Sequence, residues 1–309
     1  AKNAVAIYAP GAGGSDPPAA TLTADASTAT TLFPLFTAID ASGGLVSYGA
    51  TSVDENTGDA ILTYANGASG PAAPLHGLDF AFPTIYYAGP TGLALDAGGN
   101  VYFAGALHSG LGPSYGIFVA AAADIGNPQA NPSRTIPWDD TTGLTPLETT
   151  NVGLDSSSEI LVGNELVKDL SSKVSCQGRV NVFAAGAASG VTDAPPLRVL
   201  VLDGVYTQNP DCVSFQSPLQ PYFPEIALYG STLFVADDFN NAIDAFPSSR
   251  GGTVKPSRRI AGAATGLNAP IAVFVASSSG HASARPVRNG RTYPSTAACA
   301  RSTCVLNAR

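Results

Sequence analysis

Residues 90–105 read PTGLALDAGGNVYFAG. Leu93 and Leu95 alternate with small residues, Gly98, Gly99 and Asn100 supply the positive φ angles of a tight turn, and Val101, Tyr102 and Phe103 resume an extended run. This order of signals predicts a β-hairpin. The phrase recurs upstream as LFTAIDASGGLVSYGA (35–50) and downstream as NVGLDSSSEILVGN (151–164) and EIALYGSTLFVAD (225–237). Recurrence at this length predicts a repeat architecture.

Between the hairpins lie short apolar segments: AVAIYA (4–9), AILTYA (60–65), GIFVAA (116–121), RVNVFA (179–184) and NAIDAF (241–246). Aligned, they place Tyr8, Tyr64, Ala120, Phe183 and Phe246 in one column, with steps of 56, 56, 63 and 63 residues. A fourth signal is sharpest in NPSRTIPWDDTTGL (131–144) and KPSRRIAGAATGL (255–267), which share Pro-Ser-Arg, an Ile two positions later and then Thr-Gly-Leu. Its weaker counterparts are AATLTA near residue 20, PLHGLDF near 75 and PLRVLVL at 196–202. Four strand signals per period suit the blades of a propeller.

Composition agrees with an all-β reading. The 309 residues are 45% hydrophobic and 12% charged, with 33 Gly and 24 Pro, and no helix-long amphipathic pattern interrupts them. A net charge of −8 argues against nucleic-acid binding, which needs clustered cations to displace counterions from phosphates. The richest apolar run, GIFVAAAADIG (116–126), is cut by Asp124 and Gly126, so no transmembrane segment is expected.

The composite phrase of Arg-x-Ile, Thr-Gly-Leu, an apolar strand, Asp, Gly-Asn, Val-Tyr-Phe-Ala and an Ile-x-x-Phe strand resembles the NHL-repeat family. That family is related to the propellers of senescence-marker-type lactonases and TolB-like domains. The resemblance spans residues 4–276 and is strongest at 90–121 and 225–267. It implies an order in which the hairpin supplies strands a and b, the Ile-x-x-Phe segment strand c and the Arg-x-Ile segment strand d. The chain then begins at strand c with AVAIYA and reaches a last strand a with PIAVFVA (270–276). The expected fold is all-β, a β-propeller of four-stranded blades. Five blades are expected, closed by strand exchange between the N- and C-terminal segments, because open sheet edges would otherwise remain. Six blades, as in many rings of this family, are the alternative. Residues 1–280 would form one propeller domain, and 281–309 an Arg/Ser/Ala-rich tail carrying Arg285, Arg288, Arg291, Arg301 and Arg309. Such a tail reads as a poorly ordered terminus pinned by Cys299 and Cys304, or as a basic arm for an acidic partner.

Two kinds of acidic residue follow from the repeat. Asp40, Asp96 and Asp155 recur at the a–b turn, where a carboxylate accepts turn amides, and are expected to be structural. Asp237, Asp238 and Asn240 follow strand b in VADDFNN, and Asn164 and Glu165 follow it in LVGNE. In the implied order these residues converge on one mouth of the channel, where oxygen ligands suit Ca²⁺ or Mg²⁺ and a bound ion would activate water. His108, in ALHSG, reaches the same end. Tyr86, Tyr87, Tyr222 and Phe223 precede strand a of two blades, and aromatics beside acids suit a carbohydrate or peptide ligand. Trp138, in IPWDD, offers the same chemistry. The lactonase ligand set of one Glu, two Asn and one Asp does not map onto this chain, and no Gly-x-Ser-x-Gly elbow or Cys–His pair is present, so no catalytic residue is assigned.

Cys176, Cys212, Cys299 and Cys304 show no metal-ligand spacing and read as disulfides. Sequence leaves three pairings open; the local ones, Cys176–Cys212 and Cys299–Cys304, are expected. The resulting expectation is a secreted or periplasmic protein, its signal peptide removed, acting without a required cofactor as a binding or scaffold module for a protein, peptide or carbohydrate. A metal-dependent lactone or ester hydrolase is one alternative, and a structural subunit of an extracellular assembly is another.

Overall fold

The computed structural model describes residues 4–7, 20–24, 30–39, 44–53, 56–80, 92–109, 112–125, 132–144, 151–170, 173–185, 190–191, 194–207, 226–237, 240–262, 273–277, 284–285, 297–300 and 303–307. Within them the chain is all-β, with one turn of 3-10 helix at Ala122–Asp124 and no α-helix. None of these residues belongs to a helix long and apolar enough to cross a membrane.

Each predicted hairpin acquires strands c and d in order and becomes a four-stranded antiparallel, blade-like sheet. Blade 1 comprises Thr30–Ile39, Leu45–Val53, Asn56–Tyr64 and His76–Phe80; blade 2 comprises Gly92–Leu95, Val101–Ser109, Gly112–Ala120 and Arg134–Pro137. Blade 3 comprises Asn151–Leu154, Ile160–Leu170, Lys173–Phe183 and Arg198–Thr207; blade 4 comprises Ile226–Tyr229, Thr232–Asp237, Ala242–Pro247 and Arg258–Ala261. The aligned column is a true register column. Tyr64, Ala120, Phe183 and Phe246 on strand c lie opposite Leu45, Val101, Ile160 and Leu233 on strand b. All eight side chains are buried, which explains why that column holds aliphatic and aromatic residues in these four blades.

The chain divides into two compact units. Unit 1 holds residues 1–135, 187–191 and 276–293, and unit 2 holds residues 136–186, 192–275 and 294–309. In unit 1, Val46 and Ile61 pack with Val101, Phe103 and Phe118, while Leu45, Leu62 and Tyr64 pack with Val5 and Leu22. In unit 2, Leu161, Val180, Val182, Leu200 and Leu202 of blade 3 pack with Ile226, Leu233, Val235 and Phe246 of blade 4. Burying a side chain of this size contributes about 1.5–3 kcal/mol, so these clusters dominate each unit's stability.

Strand d begins the same way in every blade. A proline at 74, 132, 196 or 256 precedes a residue whose amide donates to strand c: Leu75 to Thr63, Ser133 to Val119, Leu197 to Val182 and Ser257 to Ala245, at 2.7–2.8 Å. Proline has no amide to offer and disfavours helix in the residue before it, so it ends the c–d connection and starts the strand.

A feature invisible in the repeat phrase is a short fastener strand inside the c–d connection, parallel to strand d of another sheet. Gly70–Ala72 pairs with Leu22–Ala24, Gly190–Val191 with Arg134–Thr135, and Gly252–Val254 with Leu200–Leu202. Each fastener opens on a glycine in the left-handed region, with φ of 65°, 99° and 72° for Gly70, Gly190 and Gly252. A side chain there would be strained by the backbone angle alone, since no atom lies within 4 Å of an added Cβ.

The N-terminal segments Ala4–Ile7 and Ala20–Ala24 form a mixed sheet with Gly70–Ala72 and with Ala284–Arg285, which lies beside Ala4–Ile7 in the position of a strand b. The segment expected as the adjoining strand a behaves differently. Val273–Ser277 pairs instead with Thr303–Asn307, which forms a hairpin with Ala297–Ala300. The alternation in 297–307 is short and lacks the Gly-Asn turn phrase, so sequence reading did not mark it.

Candidate functional site

The b–c hairpins differ from expectation in length. Strands b and c run in register from Ile160↔Phe183 to Leu170↔Lys173 in blade 3, and from Val101↔Ala120 to Ser109↔Gly112 in blade 2. His108, Asn164 and Glu165 therefore lie within strands, opposite Pro113, Arg179 and Gly178, rather than in loops after them. The polar residues that suggested the strand's end occupy positions in a hairpin that outruns its strand a. Asp237 does end strand b of blade 4, opposite Ala242. Asp238, Tyr86, Tyr87, Tyr222, Phe223 and Cys212 lie outside the described residues.

Two polar clusters occupy corresponding slots in blades 3 and 4. Asn164 and Asp237 stand four residues after Ile160 and Leu233; Asn181 and Asp244 stand two residues before Phe183 and Phe246. All four are at most 2% exposed in the middle of apolar sheets, so each requires hydrogen-bond partners.

In blade 3 the partner is the backbone of the d–a connection. The Gly143 carbonyl accepts from Asn164 Nδ2 at 3.0 Å, Arg179 Nη2 at 2.5 Å and Asn181 Nδ2 at 3.3 Å. Asn181 Nδ2 also donates to the Thr142 carbonyl at 2.9 Å. The loop is tied at its other end by Thr142, whose Oγ1 donates to the Pro137 carbonyl at 2.7 Å and whose amide donates to Asp139 Oδ1 at 2.8 Å. At 142–144 the Thr-Gly-Leu phrase has a structural role, since Gly143 holds φ of 63° and its carbonyl faces the donors; the copy at 265–267 lies outside the described residues. The loop displays Asp140 and Thr141 to solvent and leaves Trp138 and Asp139 half-buried.

In blade 4 the partner is a guanidinium from strand d. Arg259 grips Asp244 through Nε at 2.7 Å and Nη2 at 2.5 Å, and Nη2 reaches Asp237 Oδ2 at 3.2 Å. Asp237 also caps the b–c turn, accepting the Asn240 amide at 3.0 Å and Asn240 Nδ2 at 2.7 Å. Asn240 Nδ2 in turn donates to the Gly204 carbonyl of blade 3 at 3.0 Å, so the cluster ties the two blades together. Burial pushes the Asp237 carboxyl up to about 6, and the nearby Asp244 adds to the rise against the Asn240 hydrogen bonds and Arg259. The bidentate contact with Asp244 holds the Arg259 pKa above its ordinary value.

The turn aspartates have the geometry anticipated for them. Asp96 accepts the Gly98 and Asn100 amides at 2.9 Å, Asn100 Nδ2 at 2.8 Å and Tyr102 Oη at 3.1 Å. Burial opposes its charge, but the bonds from Asn100, Tyr102 and Gly98 prevail and hold the carboxyl below the usual carboxylate range. Asp155 accepts the Ser157 and Glu159 amides at 2.8 and 2.9 Å. Asp40 lies outside the described residues.

The clusters constrain the chemistry. Among the described residues no group of three His, Cys, Asp or Glu side chains is placed to hold a metal ion. At the carboxylate pair a guanidinium already occupies the place a cation would take. Sequence reasoning found Asn164, Asp237 and Asn240 but missed Arg179, Asn181, Asp244 and Arg259. The available signal was a polar residue inside an apolar strand c, Asn181 in RVNVF and Asp244 in AIDAF.

No family model matches the chain, and no curated protein does. Among solved structures it is similar to a functionally unknown protein from Desulfotomaculum acetoxidans DSM 771, at 10% identity over 89% of this chain and 70% of that one, with a TM-score of 0.38. It is also similar to a chain of a nidogen–laminin complex, at 10% identity over 84% of this chain and 94% of that one, with a TM-score of 0.32.

Proposed function

We propose that the protein is an NHL-like β-propeller of five blades that works as an extracellular or periplasmic binding module for a protein, peptide or carbohydrate. In this reading the N-terminal c and d strands and a C-terminal strand form the fifth blade, which the pairing of Ala4–Ile7 with Ala284–Arg285 supports. A Cys299–Cys304 disulfide is supported by their direct opposition across a hairpin. A Cys176–Cys212 bond belongs to the same reading.

The observation that carries the binding role is the convergence of Asn164, Arg179 and Asn181 on the Gly143 carbonyl. Three buried or half-buried donors on one loop carbonyl exceed what a connection needs for its own closure. They hold the Trp138–Leu144 loop at fixed height on a rigid sheet, the usual setting of a recognition loop. Trp138 beside Asp139 and Asp140 supplies an aromatic face flanked by acceptors, which suits a sugar ring or an extended peptide. Asp238, Tyr222 and Phe223 are proposed to extend the same surface.

Trp138 is the chain's one tryptophan, so its emission reports on this loop alone. Titrating carbohydrate and peptide libraries while following tryptophan emission is expected to yield saturable shifts that Asp140→Ala weakens. Saturable binding with unchanged emission would move the site elsewhere. Metal-stimulated turnover of lactones would replace the binding reading with the hydrolase one.

A further inference from the structure

The segment that forms the outer edge of blade 4 is strongly basic. The last side-chain carboxylate in the sequence is Asp244, and nine of the fifteen Lys and Arg residues follow it. Four of these, Arg250, Lys255, Arg258 and Arg259, lie exposed between the end of strand c and strand d of blade 4. Arg259 is committed to Asp244 and Asp237. No carboxylate of the described residues lies within ion-pair distance of Arg250, Lys255 or Arg258.

Blade 3 shows what such an edge accommodates. Its strand d carries Arg198 at the position of Arg258, each one residue after the amide that donates to strand c. Arg198 is neutralised by Glu159 at 2.5 Å and donates through Nε to the Ser248 carbonyl at 3.2 Å. Immediately beyond, Gly252–Val254 adds a parallel strand to Leu200–Leu202. In blade 4, Arg258–Ala261 is the terminal strand of its sheet among the described residues, and Arg258 lacks both the carboxylate and the carbonyl. An edge strand with unpaired backbone groups is a template for one more strand.

We propose that the Arg258–Ala261 edge binds an acidic, extended polypeptide segment of a partner protein, which pairs along the strand as Gly252–Val254 pairs with blade 3 and sets its carboxylates against Arg258 and the neighbouring Lys255. Charge selects the partner: the chain as a whole carries −8, so a long polyanion is repelled by most of the surface while a short acidic strand meets only the basic edge. This surface is separate from the Trp138 loop, and its test does not depend on that reading.

The experiment uses the full chain and a labelled, end-blocked hexapeptide of alternating aspartate and valine, followed by fluorescence anisotropy. Saturable binding is expected, weakened about tenfold or more by Lys255→Glu with Arg258→Glu and by raised salt. Both residues are exposed and form no ion pair among the described residues, so the variant's thermal melting should match the parent's. A peptide with the same charges but methylated backbone nitrogens is expected not to bind, because it cannot complete a strand ladder. Failure of the acidic peptide to bind overturns the proposal, as does equal binding by the charge-reversed variant or by the methylated peptide. Concentration-dependent self-association abolished by the same substitutions would assign the edge to a second copy, also overturning it.

Discussion

Blades 3 and 4 solve one structural problem with different chemistry. At matching register positions, blade 3 buries two amides, Asn164 and Asn181, while blade 4 buries two carboxylates, Asp237 and Asp244. Their partners explain the choice. Blade 3 faces a loop carbonyl and needs donors; its strand d offers only Val199 opposite Asn181. Blade 4 places Arg259 opposite Asp244 and needs acceptors. The corresponding slots in unit 1 hold Gly49 with Leu62 and Gly105 with Phe118, so there the same positions extend the apolar core. The repeat therefore specifies a backbone, while the polar slots are individual to each blade of unit 2 and are matched to that blade's own partner group.

The strongest way to break the contrast is to remove the ionic partner. Arg259→Leu leaves two buried carboxylates uncompensated, and a loss of about 3 kcal/mol at pH 7 is expected, the low end for a broken buried pair because the guanidinium is partly exposed. Urea denaturation measures it. Converting the whole cluster to the chemistry of blade 3, with Asp237→Asn, Asp244→Asn and Arg259→Val, is expected to restore most of the loss. A loss below about 1 kcal/mol for the single variant would mean that water already compensates the pair.

The next effect separates the two blades by pH. The Asp237 carboxyl is raised to about 6 when folded, above the ordinary aspartate value of 3.8. The native state therefore binds this proton more tightly than the unfolded state does. The group's contribution to stability is full below the unfolded value and is lost as pH rises through about 6. Between pH 7 and pH 5 it should add about 1.4 kcal/mol, the equivalent of one pKa unit. Asp237→Asn should abolish that part of the pH profile, whereas Asn164→Asp should introduce a similar one into blade 3. Asp96, held low by its hydrogen bonds, works in the opposite sense and gives up stability only under stronger acid. If the wild type and Asp237→Asn lose stability in parallel over this range, Asp237 is ionised throughout.

The blade framework was legible because it is local. Hairpin turns, the apolar column from Tyr64 to Phe246 and the proline before strand d are each written in a few adjacent residues. The candidate site was only half legible because its meaning depends on residues far apart in sequence. Asn181 is read correctly only with Gly143, 38 residues away, and Asp237 only with Arg259, 22 residues away. The extent of the b–c hairpins was hidden for a related reason. Asn164 and Glu165 are polar in sequence, yet cross-strand pairing with Arg179 and Gly178 keeps them in strands. The fasteners escaped notice because two or three residues beginning with glycine carry no alternation to detect.

Those fasteners provide the finest test, because they are what the two units share. Gly70 in unit 1 and Gly252 in unit 2 have the same role, nearly the same φ (65° and 72°) and no neighbour within 4 Å of an added Cβ. Replacing either with alanine clashes with nothing and strains only the backbone, at about 1 kcal/mol. The two variants should therefore destabilise the protein equally by urea denaturation, despite the contrast between the apolar and polar slots of their units. The neighbouring Gly251 is a useful control. Its φ is not positive, and its added Cβ would meet Arg198 Cβ at 3.4 Å and the Val199 carbonyl oxygen at 3.8 Å, so Gly251→Ala should cost less than either. A loss at Gly252 well above that at Gly70 would show that the fastener on blade 3 is coupled to the ionic and amide clusters of unit 2, through Arg198 and Ser248. Equal losses would assign the fasteners to the framework common to both units, independent of the polar slots.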